Sequence, residues 1–356
     1  MSRPRIAVLP GDGIGPEVMQ QTLRLLAAVA PDVEPIMGLI GGAAYVKHQA
    51  HFPAATRDLI DDSDAVLFGS VGGPIEQAHL PQWRGCEVNS ILALRQHLGV
   101  FINHRPARIF PALRALSPLK NERLEACGEV LILRELLGDV YFGKKRTFKE
   151  NGCMIAEDVA TYTEHQITQM AHQAFQTAAA RGGQLCSVDK ANVLDTSRLW
   201  RQVFTAVATD YPTVQLQHML VDNCAMQLIL NPAQFSVIAT SNLFGDILSD
   251  AASALPGSLG MMPSASFNAT GFGLYEPAGG SAPELTGKDV ANPMAQMLSL
   301  AMLLRHSLDR PAAAAAIEQA IEATLDQGHR TPDLMAAGGQ PVGTTGFTDQ
   351  VLRHLP

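Results

Sequence analysis

The 356-residue chain has few cysteines, modest charge and no long apolar run. Its five cysteines, Cys86, Cys127, Cys153, Cys186 and Cys224, are odd in number, scattered and without Cys-x-x-Cys spacing. That excludes a disulfide framework and a thiolate zinc site, and it suits reduced thiols in the cytoplasm. The opening Met1-Ser-Arg-Pro-Arg5 has no long apolar h-region, and no segment reaches an uninterrupted membrane span. Neither export nor membrane insertion is therefore expected. Charged residues make up 17% of the chain, and the formal net charge of −8 argues against a general nucleic-acid binder, which needs a basic surface. No internal repeat is visible. What remains, with 47% apolar residues, is an ordinary globular composition long enough for two domains.

Strands alternate with helices along the chain. Residues 6–9 form a short apolar run that stops at Pro10-Gly-Asp-Gly-Ile-Gly-Pro16, and 17–30 has helical periodicity. Strand, glycine turn and helix is the layout in which backbone N–H groups approach a phosphate. The glycines follow Gly-x-Gly-x-Gly, so the Rossmann fingerprint is not met, and a plain tight turn stays open. Buried strands are expected at 64–69, 130–133, 185–188, 216–221 and 235–240. Helices are expected at 87–96, 157–180, 294–308 and 312–325, the last from its alanine-rich composition. Polar and charged residues collect at strand ends, the signature of an α/β protein with its site in the crevice outside the sheet.

The chain is organised around Ser241-Asn-Leu-Phe-Gly-Asp-Ile-Leu-Ser-Asp250, which follows a buried strand. In a helix, Asp246 and Asp250 share one face, and two like charges there repel unless a cation sits between them. Carboxylate oxygens are the ligands that Mg²⁺ or Mn²⁺ prefers. Alone the spacing reads more readily as a solvated helix start, and residues elsewhere in the chain must decide it. Asp222, after the run 216–221, is a third candidate acid. Arg95, Arg105 and Arg134 lie near buried segments, where their planar forks suit carboxylates or phosphates, although each is as readily a surface salt bridge. Lys190 in Asp189-Lys-Ala-Asn192 is either a catalytic amine or an ordinary solvated lysine. Loops at 274–284 and 291–293 are rich in exposed backbone amides. The implied chemistry is a divalent metal, a small multi-carboxylate substrate and a nucleotide cofactor.

Taken together, Gly11-Asp-Gly-Ile-Gly-Pro-Glu17, Ser187-Val-Asp-Lys-Ala-Asn-Val193, Asn242-Leu-Phe-Gly-Asp-Ile-Leu-Ser-Asp250, Gly280-Ser-Ala-Pro283 and Gly328-His-Arg-Thr-Pro-Asp333 resemble the β-decarboxylating dehydrogenases. That family includes 3-isopropylmalate, isocitrate, homoisocitrate and tartrate dehydrogenases, and the match spans nearly the whole chain. The likeness is greatest to its 3-isopropylmalate members. The resemblance implies the family's own two-domain α/β fold, not a Rossmann fold. Residues 1–100 plus 254–356 would form a cofactor-side domain, and 101–253 a dimerisation and metal/substrate domain. It implies that Arg95, Arg105 and Arg134 hold malate carboxylates, and that Asp246, Asp250 and the partner subunit's Asp222 bind Mg²⁺ or Mn²⁺, Asp222 also facing the substrate. Lys190, also from the partner, matches the base for the C2 hydroxyl, where cations and metal would disfavour its ammonium form, and Tyr141 matches the acid that protonates the enolate. Ile14, Gly280, Ser281, Ala282, Pro283, Glu284, Leu285 and Asn292 match the cofactor-binding positions. A homodimer with shared active sites follows from the same resemblance.

Residue types bear on specificity. Ile91 and Leu92 precede the first arginine, and Val193 matches a partner residue that completes an apolar pocket, so an isopropyl group is favoured over a third carboxylate. Asn89 and Ser90 are polar residues in the same segment. Glu284 matches the acid that binds the adenosine ribose, where a carboxylate repels a 2′-phosphate, so NAD is favoured over NADP. Two stretches depart from the family pattern. Gly279 stands where a histidine near the adenine is usual, which predicts weaker NAD binding or a rearranged adenine pocket, and Ile75-Glu76 replaces the usual Lys-Trp. The expected activity is NAD-dependent oxidative decarboxylation of 3-isopropylmalate in leucine biosynthesis. The alternatives are a paralogue acting on tartrate, malate or another 3-alkylmalate, and a catalytically weak regulatory subunit.

Overall fold

The computed structural model describes residues 3–125 and 127–356; Met1 and Ser2, within the opening stretch read above, and Ala126 lie outside it. The strands used below are β1 (Arg5–Gly11), β2 (Glu34–Met37), β3 (Ala65–Ser70), β4 (Ile102–Arg108), β5 (Glu129–Glu135), β6 (Lys145–Glu150), β7 (Cys153–Asp158), β8 (Gln184–Asp189), β9 (Gln215–Leu220), β10 (Val237–Thr240), β11 (Pro263–Phe267) and β12 (Gly273–Pro277). The chain forms two compact units. The first comprises Met1–Val100, Arg108–Pro118 and Ser253–Pro356, and the second Phe101–Ala107 and Leu119–Ala252.

In the first unit the strand order is β2-β1-β3-β12-β11, parallel except where β11 runs antiparallel to β12. β3 is buried at every position, as a strand covered on both faces must be. The helix Met294–His306 is buried at every residue from Met294 to Leu304, so it is a core helix. It packs with the helix Pro311–Asp326 and with Met19, Leu25, Phe110 and Leu113. Phe110 and Leu113 explain why Arg108–Pro118 belongs to this unit, whereas the sequence reading had included it in 101–253.

The turn after β1 requires its glycines. Gly11 has φ 72° and Gly13 φ 59°, and a Cβ on Gly13 would lie 2.0 Å from the Ser281 carbonyl oxygen. Between them, buried Asp12 accepts hydrogen bonds from the Gly42, Ala43 and Gly72 amides at 2.8, 2.8 and 3.2 Å. One carboxylate thus ties three loops of this unit together.

In the second unit the strand order is β4-β5-β10-β8-β9, with β5, β10, β8 and β9 mutually parallel. The helix expected over 157–180 spans only Glu164–Ala180. It starts at a capping box in which Thr163 and Gln166 satisfy each other's backbone N–H groups. The residues before it instead form an antiparallel hairpin of β6 and β7, turned at Asn151-Gly152 with both residues at positive φ.

Candidate active site

The helix Asn242–Ala252 begins immediately after β10 and sets Asp246 and Asp250 one turn apart. Gly245 leaves room for the stem of Arg134, whose Cγ would stand 2.7 Å from a Cβ there. Arg134, at the end of β5, pairs with Asp246 and donates from Nε and a terminal nitrogen to the Asn242 side-chain oxygen at 3.0 and 2.8 Å. Arg105 on β4 reaches Asp246 at 3.3 Å, Asp250 at 3.6 Å and the Ser249 hydroxyl at 2.7 Å. The Tyr141 hydroxyl donates to Asp246 at 2.7 Å, and Arg134 lies over its ring. Burial, then the bond to Asp246, raises the Tyr141 hydroxyl above its ordinary value. Burial also raises the Asp250 carboxyl, against the pull of Arg105. Five of the residues singled out from sequence, Arg105, Arg134, Tyr141, Asp246 and Asp250, thus form one cluster.

Lys190 and Asp222 form a separate pair in the same unit, with Nζ 2.5 Å from the carboxylate oxygen. The hydrogen bond from Lys190 holds the Asp222 carboxyl below the usual range. The neighbour of Lys190 within the chain is thus a carboxylate. No group of three or more His, Cys, Asp or Glu side chains able to hold a metal occurs among the described residues. Val193, on the turn after Lys190, is 61% exposed. Leu194, Met154, Val159, Met226, Ile229, Leu230 and Ile247, all of this unit, are exposed as well.

The remaining candidates lie in the first unit. Arg95 is buried and donates to buried Glu276 at 2.8 Å. Among the described residues its Nε has no hydrogen-bond partner. Arg95 follows a π-helical turn, Val88–Leu92. Ile91 packs against the core beside Leu94 and Phe68, and Leu92 is half-buried. Ser90 is fully buried and donates to the Cys86 carbonyl at 2.5 Å, so it presents no polar group to a ligand. Ile14 donates its amide to the Ser281 carbonyl at 2.8 Å. Ile14, Leu259, Pro277, Gly279, Gly280 and Asn292 border a small cavity. A Cβ on Gly279 would meet only Leu259, at 3.7 Å, and one on Gly280 would meet nothing within 4 Å. Ala282 is in the left-handed region, Pro283 and Leu285 are half-buried, and Glu284 is exposed. The Asn292 side-chain amide donates to Asp333 at 3.0 Å.

Sequence reasoning missed the network that positions the arginine–aspartate cluster. Glu135 is buried at the end of β5 and accepts from the Leu137 and Gly138 amides and from the Tyr162 hydroxyl, at 2.7, 2.9 and 2.9 Å. Burial pushes its carboxyl up to about 7 despite those three donors. The Tyr162 oxygen in turn accepts from the Asn242 amide at 2.9 Å, which fixes the start of the aspartate helix. Asp139, at φ 70°, accepts from the Leu243 amide at 3.1 Å and bridges that helix to the turn carrying Tyr141. A charged Arg-Glu pair closing an uninterrupted apolar strand was the visible signal for Glu135. Tyr162 offered none.

A model of the isocitrate/isopropylmalate dehydrogenase family matches residues 5–351. The chain is 49% identical over 357 residues to a 3-isopropylmalate dehydrogenase of Bordetella avium, covering 99% of both. It is 48% identical over 355 residues to that of Escherichia coli K12, covering 98% of this chain and 97% of the other. Among solved structures, an isocitrate dehydrogenase from Methylococcus capsulatus superposes with a TM-score of 0.88 at 31% identity, covering 99% of both chains. A beta-decarboxylating dehydrogenase from Thermococcus kodakarensis gives 0.80 at 34% identity, covering 99% of this chain and 96% of the other.

Proposed function

We propose, from the premise that this chain belongs to the isocitrate/isopropylmalate dehydrogenase family, that it oxidatively decarboxylates 3-isopropylmalate to 2-oxo-4-methylpentanoate. The reaction uses NAD and a divalent cation, Mg²⁺ or Mn²⁺, and serves leucine biosynthesis in the cytoplasm. The observation that carries this reading is 48–49% identity along nearly the whole chain to enzymes named for that activity.

The residues fit both absent groups. Asp246 and Asp250 offer hard carboxylate oxygens on one helical face, and Asp222 of a second subunit supplies a third. Ile14, Gly280, Ser281, Ala282, Pro283, Glu284, Leu285 and Asn292 would hold the dinucleotide, with open space at Gly279 and Gly280. When bound, the cation supplies Lewis acidity toward negative charge on the substrate oxygens, and the nicotinamide supplies the hydride acceptor.

The chain's own side chains do the rest. Arg95, Arg105 and Arg134 bind and orient the carboxylates, and the cluster around Asp246 keeps two of these forks in place before substrate arrives. Lys190 takes the C2 hydroxyl proton. After CO₂ leaves C3, Tyr141 delivers a proton to that carbon, and a hydroxyl raised above its ordinary value holds that proton at neutral pH. Ile91, Leu92 and Val193 line the isopropyl side, and the burial of Ser90 supports that apolar wall. The exposed apolar residues of the second unit leave surface that a homodimer would cover.

A second reading, a paralogue acting on another 2-hydroxy diacid, is favoured by Ile75, which is 89% exposed in a stretch that departs from the family pattern near the substrate. The test is NADH formation with Mn²⁺ on 3-isopropylmalate, isocitrate, tartrate and malate, each with NAD and NADP. Selective turnover of 3-isopropylmalate with NAD is expected. Preference for another diacid would establish the paralogue, and silence across the panel would overturn both.

A further inference from the structure

A second concave site lies in the first unit, lined by none of the residues assigned above. It has a volume of about 600 Å³, within the ordinary range for small-molecule sites. Arg57, Arg84, His51 and His79 line it, together with the amide side chain of Asn89 and the ring of Tyr45. No lining residue is acidic, although the chain carries a net charge of −8. Among the described residues, neither Arg57 nor Arg84 forms an ion pair. Arg57 is held instead by the buried ring of Phe52, with its guanidinium carbon 5.0 Å from the ring centroid. That contact uses the face of the cation and leaves its N–H edge for a ligand. The wall behind is built, not incidental. His51 is 6% exposed, its Nε2 lies 2.9 Å from the Gln82 carbonyl, and its ring packs at 4.8 Å on Tyr45.

Donors without acids select an acceptor-rich ligand, and a guanidinium fork matches the geometry of a carboxylate or phosphate. We propose that this cavity binds a small oxyanionic molecule carrying a phosphate monoester or paired carboxylates. The cavity is too large for an inorganic ion alone, so the ligand has a body beside its charged group. The site also has a route to the reaction. Asn89 and Ala93 line it from the same helical run that carries Ile91, Leu92 and Arg95. Within that run, Val88–Leu92 is a π turn, which has an alternative in ordinary α-helical register. A ligand that favours one register shifts substrate affinity, and substrate shifts ligand affinity by the same factor. This coupling rests on the substrate role proposed above, whereas the binding does not.

The experiment is calorimetric titration of the intact protein with adenosine monophosphate and pyrophosphate as phosphate probes, and with citrate and malonate as carboxylate probes. Wild type is compared with Arg57→Gln/Arg84→Gln. One saturable class in wild type is expected to weaken at least tenfold in the double variant, beside any binding at the substrate and cofactor sites that is equal in both proteins, while kcat and KM without probe stay unchanged. The probe type that shows this loss identifies the ligand class. Equal affinity in both proteins, or no saturable binding to wild type, would overturn the site. Substrate KM is then measured at a saturating concentration of the binding probe, corrected for competition seen equally in the double variant. A shift of twofold or more confined to wild type supports the coupling, and its absence with binding intact overturns the coupling alone.

Discussion

Asp246 receives hydrogen bonds or ion pairs from Arg105, Arg134 and Tyr141, so three groups read from separate stretches act on one carboxylate. Tyr141→Phe removes the donated proton but little of the packing. It should lower kcat by about a hundredfold or more with KM nearly unchanged, which steady-state kinetics would check. Equal losses in kcat and in substrate affinity would point to a binding role instead. Glu135 makes a prediction in pH. Its folded value, about 7, lies above that of an unfolded glutamate, so the folded state binds more protons between about 4.5 and 7. Its contribution is fully present below about 4.5 and is lost as pH rises through about 7. Denaturant midpoints of wild type should therefore fall across that window relative to Glu135→Gln, and parallel profiles would refute the assignment. The catalytic candidates were legible because each is a charged or hydroxylated residue beside an apolar strand or turn. Glu135 and Tyr162 were not, because a buried acid becomes recognisable only when its donors are in view.

At the scale of elements, glycines make the sharpest distinctions. Gly13→Ala places a Cβ 2.0 Å from a backbone carbonyl at positive φ, so the turn after β1 must distort. A stability loss of about 2 kcal/mol or more is expected in urea unfolding. Gly279 is the opposite case, since a Cβ there meets only Leu259 at ordinary contact distance. Gly279→His should leave stability unchanged and tighten NAD binding by about threefold to tenfold through ring stacking, measured by fluorescence titration. Unchanged affinity would show that the adenine lies elsewhere. The strand and helix pattern was readable wherever apolar runs were bounded by glycine, proline or aspartate, as at β1, β3 and β8. It failed over 157–163, where the exposed end of β7 and the irregular residues 159–163 precede the capped helix start.

For the whole molecule, the proposed homodimer with shared sites has a direct test, because Lys190 and Asp246 of one site would then come from different chains. Lys190→Ala and Asp246→Asn chains, each inactive alone, should recover about a quarter of wild-type activity when unfolded together and refolded. Half of the dimers formed are mixed, and each of these has one intact site. No recovery would mean that every site is built within one chain. Subunit sharing could not be read from spacing alone, because a linear pattern does not say which copy a residue serves. The cysteines, already sparse in composition, acquire a use from their placement. Cys86, Cys127, Cys186 and Cys224 are buried, and burial pushes the thiols of Cys86, Cys186 and Cys224 up to about 12. Cys153 alone among the free cysteines is exposed, at the first position of β7. The hairpin thus carries a single chemical handle, where one maleimide dye per chain would attach without engineering and turn any covering of the hairpin into a change of colour.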